Sequence, residues 1–217
     1  MRLSVVFLTT GERTEKESLE SIRNQTKKAD EVIVVKNVAP ISAAFNLGYS
    51  EATGDYVVEV PADAILSPKA FEILYNNMKE EDGEICAPYF DTDRKTYVDG
   101  LRMSRRIAMK QIGNYRDVPD ADVDVIKRLE QNGWKVRRIV YVLGTHNPDF
   151  RGFSFIIRQW NTGKRTKSFM LAIGVIKDSM RAFLKTGRIK FLFCPLFSML
   201  GFFFGKREDV RFKRLIG

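Results

Sequence analysis

Short apolar runs alternate with stretches of helical spacing through the first two thirds of the chain. RLSVVFLT (residues 2–9) has strand length, EVIVVK (31–36) reads as a second buried strand and DYVVEV (55–60) as a third. Between them, residues 14–24 space Leu19 and Ile22 along one helical face, and residues 41–52 form a short helix. Residues 68–78 are helical with Phe71, Ile73 and Leu74 as the apolar face, and residues 85–89 suggest a fourth strand. The polar, basic stretch 91–119 reads either as an extended hairpin or as a mobile loop. A helix is expected from about Asp120 to Asn132, ended by Gly133 in the C′ position, then a strand over 135–142. Strands alternating with helices predict an α/β fold with parallel βαβ units. Such sheets bind ligands beyond the carboxyl ends of their strands, which directs attention to the segments after residues 8, 36 and 60.

The last third has a different pattern. Phe169, Ala172, Ile173, Ile176, Met180, Phe183 and Leu184 recur at helical spacing over 168–185, and Lys177, Arg181, Lys185 and Arg188 form a basic stripe beside them. FLFCPLFSMLGFFFG (191–205) follows without a charge. A spanning helix needs about 20 apolar residues. An in-plane or re-entrant insertion therefore fits this segment better, the other option being packing on the domain or on a second subunit. The basic stripe reads as a lipid-facing or a merely solvated face.

Charge sharpens this division. The chain of 217 residues carries +9 overall. Residues 151–217 hold 15 Lys and Arg against 3 Asp and Glu, whereas the first 150 hold 21 against 24. Eleven of the 16 phenylalanines also follow residue 150. The expected organisation is a globular domain over 1–150 and a basic, Phe-rich helical tail over 151–217 that meets an anionic partner. Nothing resembles a groove-reading module, and the uncharged Phe-rich stretch suits lipid better than nucleic acid. Cys86 and Cys194 lack framework or metal-ligand spacing and read as reduced thiols, which suits a cytosolic setting. The first apolar stretch ends near residue 8, so no secretory leader is expected.

Several chemistries lack their residues. No G-x-x-x-x-G-K-[ST] loop, G-x-G-x-x-G fingerprint, C-x-x-C pair or G-x-S-x-G elbow occurs, and a single histidine excludes a His-rich zinc site. What remains is an ordered series. Thr9-Thr10-Gly11-Glu12 ends the first strand. Ser18-Leu19-Glu20-Ser21-Ile22, Gln25-Thr26 and Asp30-Glu31-Val32-Ile33-Val34-Val35 follow. Then come Asn46-Leu47-Gly48, Gly54-Asp55-Tyr56 and Pro61-Ala62-Asp63-Ala64-Ile65-Leu66-Ser67-Pro68. Asp122-Val123-Asp124, Gly133-Trp134 and His146 complete it.

Over residues 2–150 this series resembles the family-2 glycosyltransferases of the GT-A fold. The resemblance implies a mixed, mainly parallel sheet flanked by helices, with the helical tail as an extension. It implies transfer of a sugar from a nucleotide-diphosphate donor with inversion at the anomeric carbon. By resemblance Asp63 is the ligand of a divalent Mg²⁺ or Mn²⁺, which neutralises the leaving diphosphate. His146 matches a downstream histidine that approaches metal or diphosphate. Asp122 is the implied general base, and Asp120 a substitute for the acid missing at Ala121. Thr9 and Glu12 would either contact the nucleotide or cap the next helix, and Asn37 would face the base.

The series departs from the family pattern where acids are expected: Pro61 and Ala64 flank Asp63, Lys36 and Asn37 end the second strand, and Phe45 precedes Asn46. The leading expectation is a metal-dependent glycosyltransferase acting on a lipid-linked or cell-surface glycan. It would lie peripherally or monotopically on the cytoplasmic face of the cell membrane, with homo-oligomerisation left open. The alternative is a decayed GT-A domain serving as a binding or scaffold module.

Overall fold

A computed structural model describes residues 1–118, 121–148 and 169–204. The chain divides into two compact units, Met1–Asp149 and Phe150–Gly217. The expected position of Asp120 lies outside the described residues, as do 151–168 and 205–217.

The first unit is built on one eight-stranded sheet. Its strands are β1 (Leu3–Thr9), β2 (Glu31–Lys36), β3 (Tyr56–Pro61), β4 (Ala64–Leu66), β5 (Asp82–Asp91), β6 (Thr96–Arg105), β7 (Lys135–Arg138) and β8 (Gly144–His146). They run in the order β2-β1-β3-β6-β5-β8-β4, with β7 also paired to β5. The pairs β1–β2, β1–β3, β5–β7 and β5–β8 are parallel; β3–β6, β5–β6 and β4–β8 are antiparallel. The sheet is thus mixed and mainly parallel, as the alternation of strands and helices implies.

Each face of the sheet carries its own core because side chains alternate along a strand. Leu3, Val5, Phe7, Tyr56, Val58 and Val60 point to one face, where α1 (Glu15–Arg23) and α3 (Ala70–Asn77) contribute Ile22, Phe71 and Leu74. Val6, Leu8, Val35 and Val57 point to the other, under α2 (Ile41–Glu51), α4 (Arg106–Gln111) and α5 (Ala121–Gln131). Gly48 on α2 lies so close to β1 that a Cβ there would collide with both γ-methyls of Val6. The Asn-x-Gly element has a packing reason at its glycine, therefore. Its Asn46 brackets Tyr115, accepting from its N–H at 2.9 Å and donating to its C=O at 2.9 Å.

Two local expectations need correction, the alternative over 91–119 resolves as the hairpin, and one strand is added. β2 is an edge strand bonded only to β1, so Val32 and Val34 are 41% and 52% exposed, and only one of its faces is buried. The stretch after residue 91 is the turn and second strand of the β5–β6 hairpin followed by α4, not a mobile loop. The strand expected over 135–142 stops at Arg138. Irregular chain leads to β8, which returns to the end of β5. β4 has only three residues and shows no periodicity of its own. Gly133 does end α5 in the left-handed conformation, with φ of 84°.

In the second unit, α6 (Phe169–Thr186) and α7 (Lys190–Phe204) are joined at Gly187, whose φ is 65°. Ala182, Phe191 and Cys194 form a small buried cluster with Phe183 against it, and Ser179 and Ser198 are buried as well. Over residues 179–183 of α6, Ser179 and Ala182 are buried. Met180 and Leu184, two of the apolar residues that recur at helical spacing, are 44% and 76% exposed and accompany the exposed Lys177 and Lys185. Among the described residues no helix is long and apolar enough to cross a membrane.

Candidate active site

Asp63 sits in the tight turn that joins β3 to β4, beyond the carboxyl end of a central strand. α1 fastens this turn from one side. Thr14 Oγ1 donates to the Ala62 carbonyl at 2.9 Å, Ser18 Oγ to the Pro61 carbonyl at 3.5 Å, and Leu66 N–H to Ser21 Oγ at 3.0 Å. Gln25, only 1% exposed, donates to the Ser67 carbonyl and accepts from Phe71 N–H, fixing the start of α3 to the same helix. The polar positions of the Ser18–Thr26 series therefore serve to hold Asp63 in place. The Ala62 N–H donates to the Leu8 carbonyl, and Asn147 N–H to that of Asp63 itself.

β8 brings His146 alongside. Its Nε2 lies 3.1 Å from Asp63 Oδ2, and its Nδ1 lies 3.1 Å from Oδ2 of Asp91, the last residue of β5. Burial opposes a charge on this ring, but the hydrogen bonds to Asp63 and Asp91 outweigh it and lift its pKa from 6.5 to about 9. Burial likewise opposes ionisation of Asp91, yet His146 and the backbone amide of Arg94 hold its carboxyl below the ordinary range. Asp91 is a site residue that motif reading passes over. Its only sequence signal is an acid closing an apolar strand, in Pro88-Tyr89-Phe90-Asp91.

The fit of a divalent cation can be tested on these atoms. Asp63 Oδ1 is buried without a hydrogen-bond partner, an arrangement that is costly unless a cation or donor satisfies it. The 3.1 Å gap between Asp63 Oδ2 and His146 Nε2 is close to the roughly 3.0 Å that separates two right-angled ligand atoms about 2.1 Å from one ion. Among the described residues no group of three or more His, Cys, Asp or Glu is placed to hold a metal alone. The donor set fits a cation whose remaining ligands are phosphate oxygens and water.

The other expected residues fall into separate groups. Thr9 Oγ1 donates to Glu12 Oε2 at 3.0 Å and is also 2.6 Å from Glu15 Oε2, while Glu12 accepts from the amide and hydroxyl of Thr10. Partial burial would raise the Glu12 pKa, but the Thr10 bonds lower it. Both side chains are engaged in shaping the β1–α1 loop. Asn37 is exposed at the end of β2 with φ of 57°, its N–H bonded to the Thr9 carbonyl.

Asp122 stands in the first turn of α5 with its side chain 53% exposed, and its Oδ2 receives Arg102 Nη2 at 3.1 Å. Arg102 Nη1 bonds Glu84 at 2.6 Å. Beside it on β3, Glu59 accepts from the hydroxyls of Tyr49 at 2.8 Å and Tyr115 at 2.7 Å. Burial pushes the Glu59 pKa up to about 7, the Glu84 charge adds to this, and Arg102 and the tyrosines pull against it. Against the cost of its own burial, Arg102 is held above its ordinary range by Glu84. No motif marks this network. The signal is a charge in the middle of an apolar strand, in DYVVEV, GEICA and GLRMS, since a buried charge demands a partner.

The mixed, mainly parallel sheet flanked by helices is that of the GT-A fold. The chain is similar to the mannosyltransferase PcManGT from Pyrobaculum calidifontis, solved in complex with GDP-Man and Mn²⁺. The TM-score is 0.61 at 14% identity, over 92% of this chain and 69% of that one. Against S. aureus TarS 1–349 it is 0.58 at 10% identity, over 93% and 89%. Against the same protein in complex with UDP it is 0.58 at 10% identity, over 87% and 72%. These likenesses show the fold. In sequence, the model of the family "Glycosyl transferase family 2" matches residues 36–121, and the chain resembles that family. The matched stretch contains Asn37, Asp63, Asp91 and Arg102, whereas Thr9, Glu12, Asp122 and His146 lie outside it. No curated protein matches the chain by sequence.

Proposed function

We propose that the protein is an inverting, metal-dependent glycosyltransferase that moves a sugar from a nucleotide-diphosphate donor to a lipid-linked or cell-surface glycan at a membrane surface. The observation that carries this reading is the Asp63–His146 pair, fastened at the strand ends of a GT-A fold with an unpartnered Asp63 Oδ1. A bound Mg²⁺ or Mn²⁺ would neutralise the diphosphate as it leaves. Asp63 and His146 are the residues that would hold it. The donor lies along the ends of β1, β2 and β3, with Asn37 towards the base and the Thr9–Glu12 loop beneath the nucleotide.

Asp122 acts as the general base. The acceptor hydroxyl gives its proton to the carboxylate as its oxygen bonds to the anomeric carbon, and the bond from that carbon to the diphosphate oxygen breaks on the opposite side. Arg102 holds one carboxylate oxygen while half of the side chain stays open to an acceptor. The charge-free stretch 191–204 of α7 and the exposed Lys177, Met180, Leu184 and Lys185 of α6 support placement against anionic lipid, where a lipid-borne acceptor is met.

Sugar transfer from a panel of GDP-, UDP- and dTDP-sugars tests the reading. Asp63→Ala and Asp122→Ala should each lower transfer by about a hundredfold or more while leaving the thermal unfolding midpoint near that of the wild type. Full activity in both variants rejects it. The loss of acids at Pro61 and Ala64 favours a second reading, a binding module without turnover. Calorimetry that detects no donor with Mn²⁺ present would favour this alternative.

A further inference from the structure

We propose that Asp91 is a positioning residue, whose carboxylate holds the Nδ1 proton and turns the His146 ring so that Nε2 faces Asp63, and so sets the affinity of that pair for a divalent cation. The inference rests on the reading of Asp63 and His146 given under Proposed function. It adds a residue and a division of labour that no motif supplies.

β5 and β8 run parallel, and Asp91 is the direct partner of His146. The Thr92 N–H donates to the His146 carbonyl at 2.9 Å, so the two backbones are tied at this point. Asp91 is 1% exposed. Its Oδ1 accepts from the N–H of Asp93 at 2.9 Å and of Arg94 at 2.7 Å, and its Oδ2 faces His146 Nδ1 at 3.1 Å. Three N–H groups thus converge on one side chain, and only an acceptor at both oxygens satisfies all of them. A histidine nitrogen bonded to such a carboxylate carries the ring proton, which leaves the other nitrogen to bind a cation. The second nitrogen here is Nε2, next to Asp63.

Asparagine is therefore not a neutral replacement at residue 91. Its carbonyl would take the two backbone N–H groups, and its NH₂ would then face Nδ1. The ring would answer by placing its proton on Nε2, pointing at Asp63 and closing the site to a cation.

The test uses the full chain as wild type, Asp91→Asn and Asp91→Ala. Mn²⁺ affinity is read by electron paramagnetic resonance with saturating GDP and, separately, UDP. Both variants are expected to bind Mn²⁺ about 10- to 100-fold more weakly, with metal-free nucleotide binding unchanged. Because His146 is the single histidine, ¹⁵N NMR of its ring is unambiguous. With Zn²⁺ as a diamagnetic stand-in, the wild-type ring should carry its proton on Nδ1, and the Asp91→Asn ring on Nε2. Wild-type protein that binds no Mn²⁺ with either nucleotide overturns the reading of the Asp63–His146 pair, and this proposal with it. Wild-type binding matched within twofold by both variants, or a wild-type ring protonated on Nε2, overturns the role of Asp91 alone. Thermal unfolding separates a misfolded variant from a weakened site, and the isosteric Asp91→Asn keeps the test decisive if Asp91→Ala does not fold.

Discussion

The buried charges of this protein separate into two kinds of residue. Asp63 and His146 stand at strand ends, partly exposed, where a ligand can reach them. Glu59 and Glu84 lie fully inside, with Arg102 as the cation between them and Asp122. One guanidinium cannot balance three carboxylates, so Glu59, buried and beside the Glu84 charge, holds a proton near neutral pH. The sign of its effect on stability follows. With a folded-state pKa of about 7 against 4.5 when unfolded, Glu59 contributes fully below pH 4.5, and its contribution is lost as pH rises towards 7. Each unit of displacement corresponds to about 1.4 kcal/mol. Glu59→Gln, which mimics the protonated acid, should flatten the fall in unfolding midpoint between pH 5 and 6.5. That window lies below the range where the raised pKa of His146 acts, and above that of the depressed Asp91. Parallel pH profiles of wild type and variant would contradict this assignment.

Elements place these residues through packing that a motif only hints at. The Ser18–Thr26 series reads as a family marker, but its physical work is to bind α1 to the turn that carries Asp63 and to the start of α3. The Asn46–Gly48 element lets α2 lie directly on β1. Gly48→Ala forces a methyl against Val6, which is fully buried, and should cost about 1–3 kcal/mol in urea unfolding. Val6→Ala in the same chain should recover part of that loss, because it removes the colliding methyls. An unchanged stability in Gly48→Ala would mean that α2 moves away from the sheet freely. Conversely, β2 is an edge, and an apolar run cannot show from within itself that no strand covers its far side.

For the whole molecule, the uneven charge along the sequence is the guide. Lys177 and Lys185 are exposed on α6 beside Met180 and Leu184, and the buried side of the hairpin is made by Ala182, Phe191 and Cys194. Lys177→Glu with Lys185→Glu in the full chain should weaken binding to vesicles containing phosphatidylglycerol by about tenfold or more, at roughly 1 kcal/mol for each basic residue near the surface. Binding to purely zwitterionic vesicles should be weak for both proteins. Flotation assays at low and high salt measure this, and equal flotation of both proteins on anionic vesicles would remove the lysine face from the membrane surface.

The order of elements from β1 through β3, the helix α3, the glycine that stops α5 and the placing of Asp63 after the third strand are all legible in the sequence. Each depends on local spacing and on backbone chemistry that neighbouring residues carry. The charge division between the domain and its tail is likewise a property of the chain as written. Tertiary structure decided the rest. It joined His146 to Asp63 across 83 residues and to Asp91 across 55, and it linked Asp122 to Glu84 through Arg102. It also left Met180 and Leu184 exposed beside the contact of Ala182 with Phe191 and Cys194. These outcomes depend on strand register and on which faces meet, and neither is fixed until distant segments pair. Asp63 is therefore recognisable as a candidate ligand from its neighbours in sequence. His146 is a candidate through the resemblance, whereas the carboxylate that faces its Nδ1 becomes visible only once β5 and β8 lie side by side.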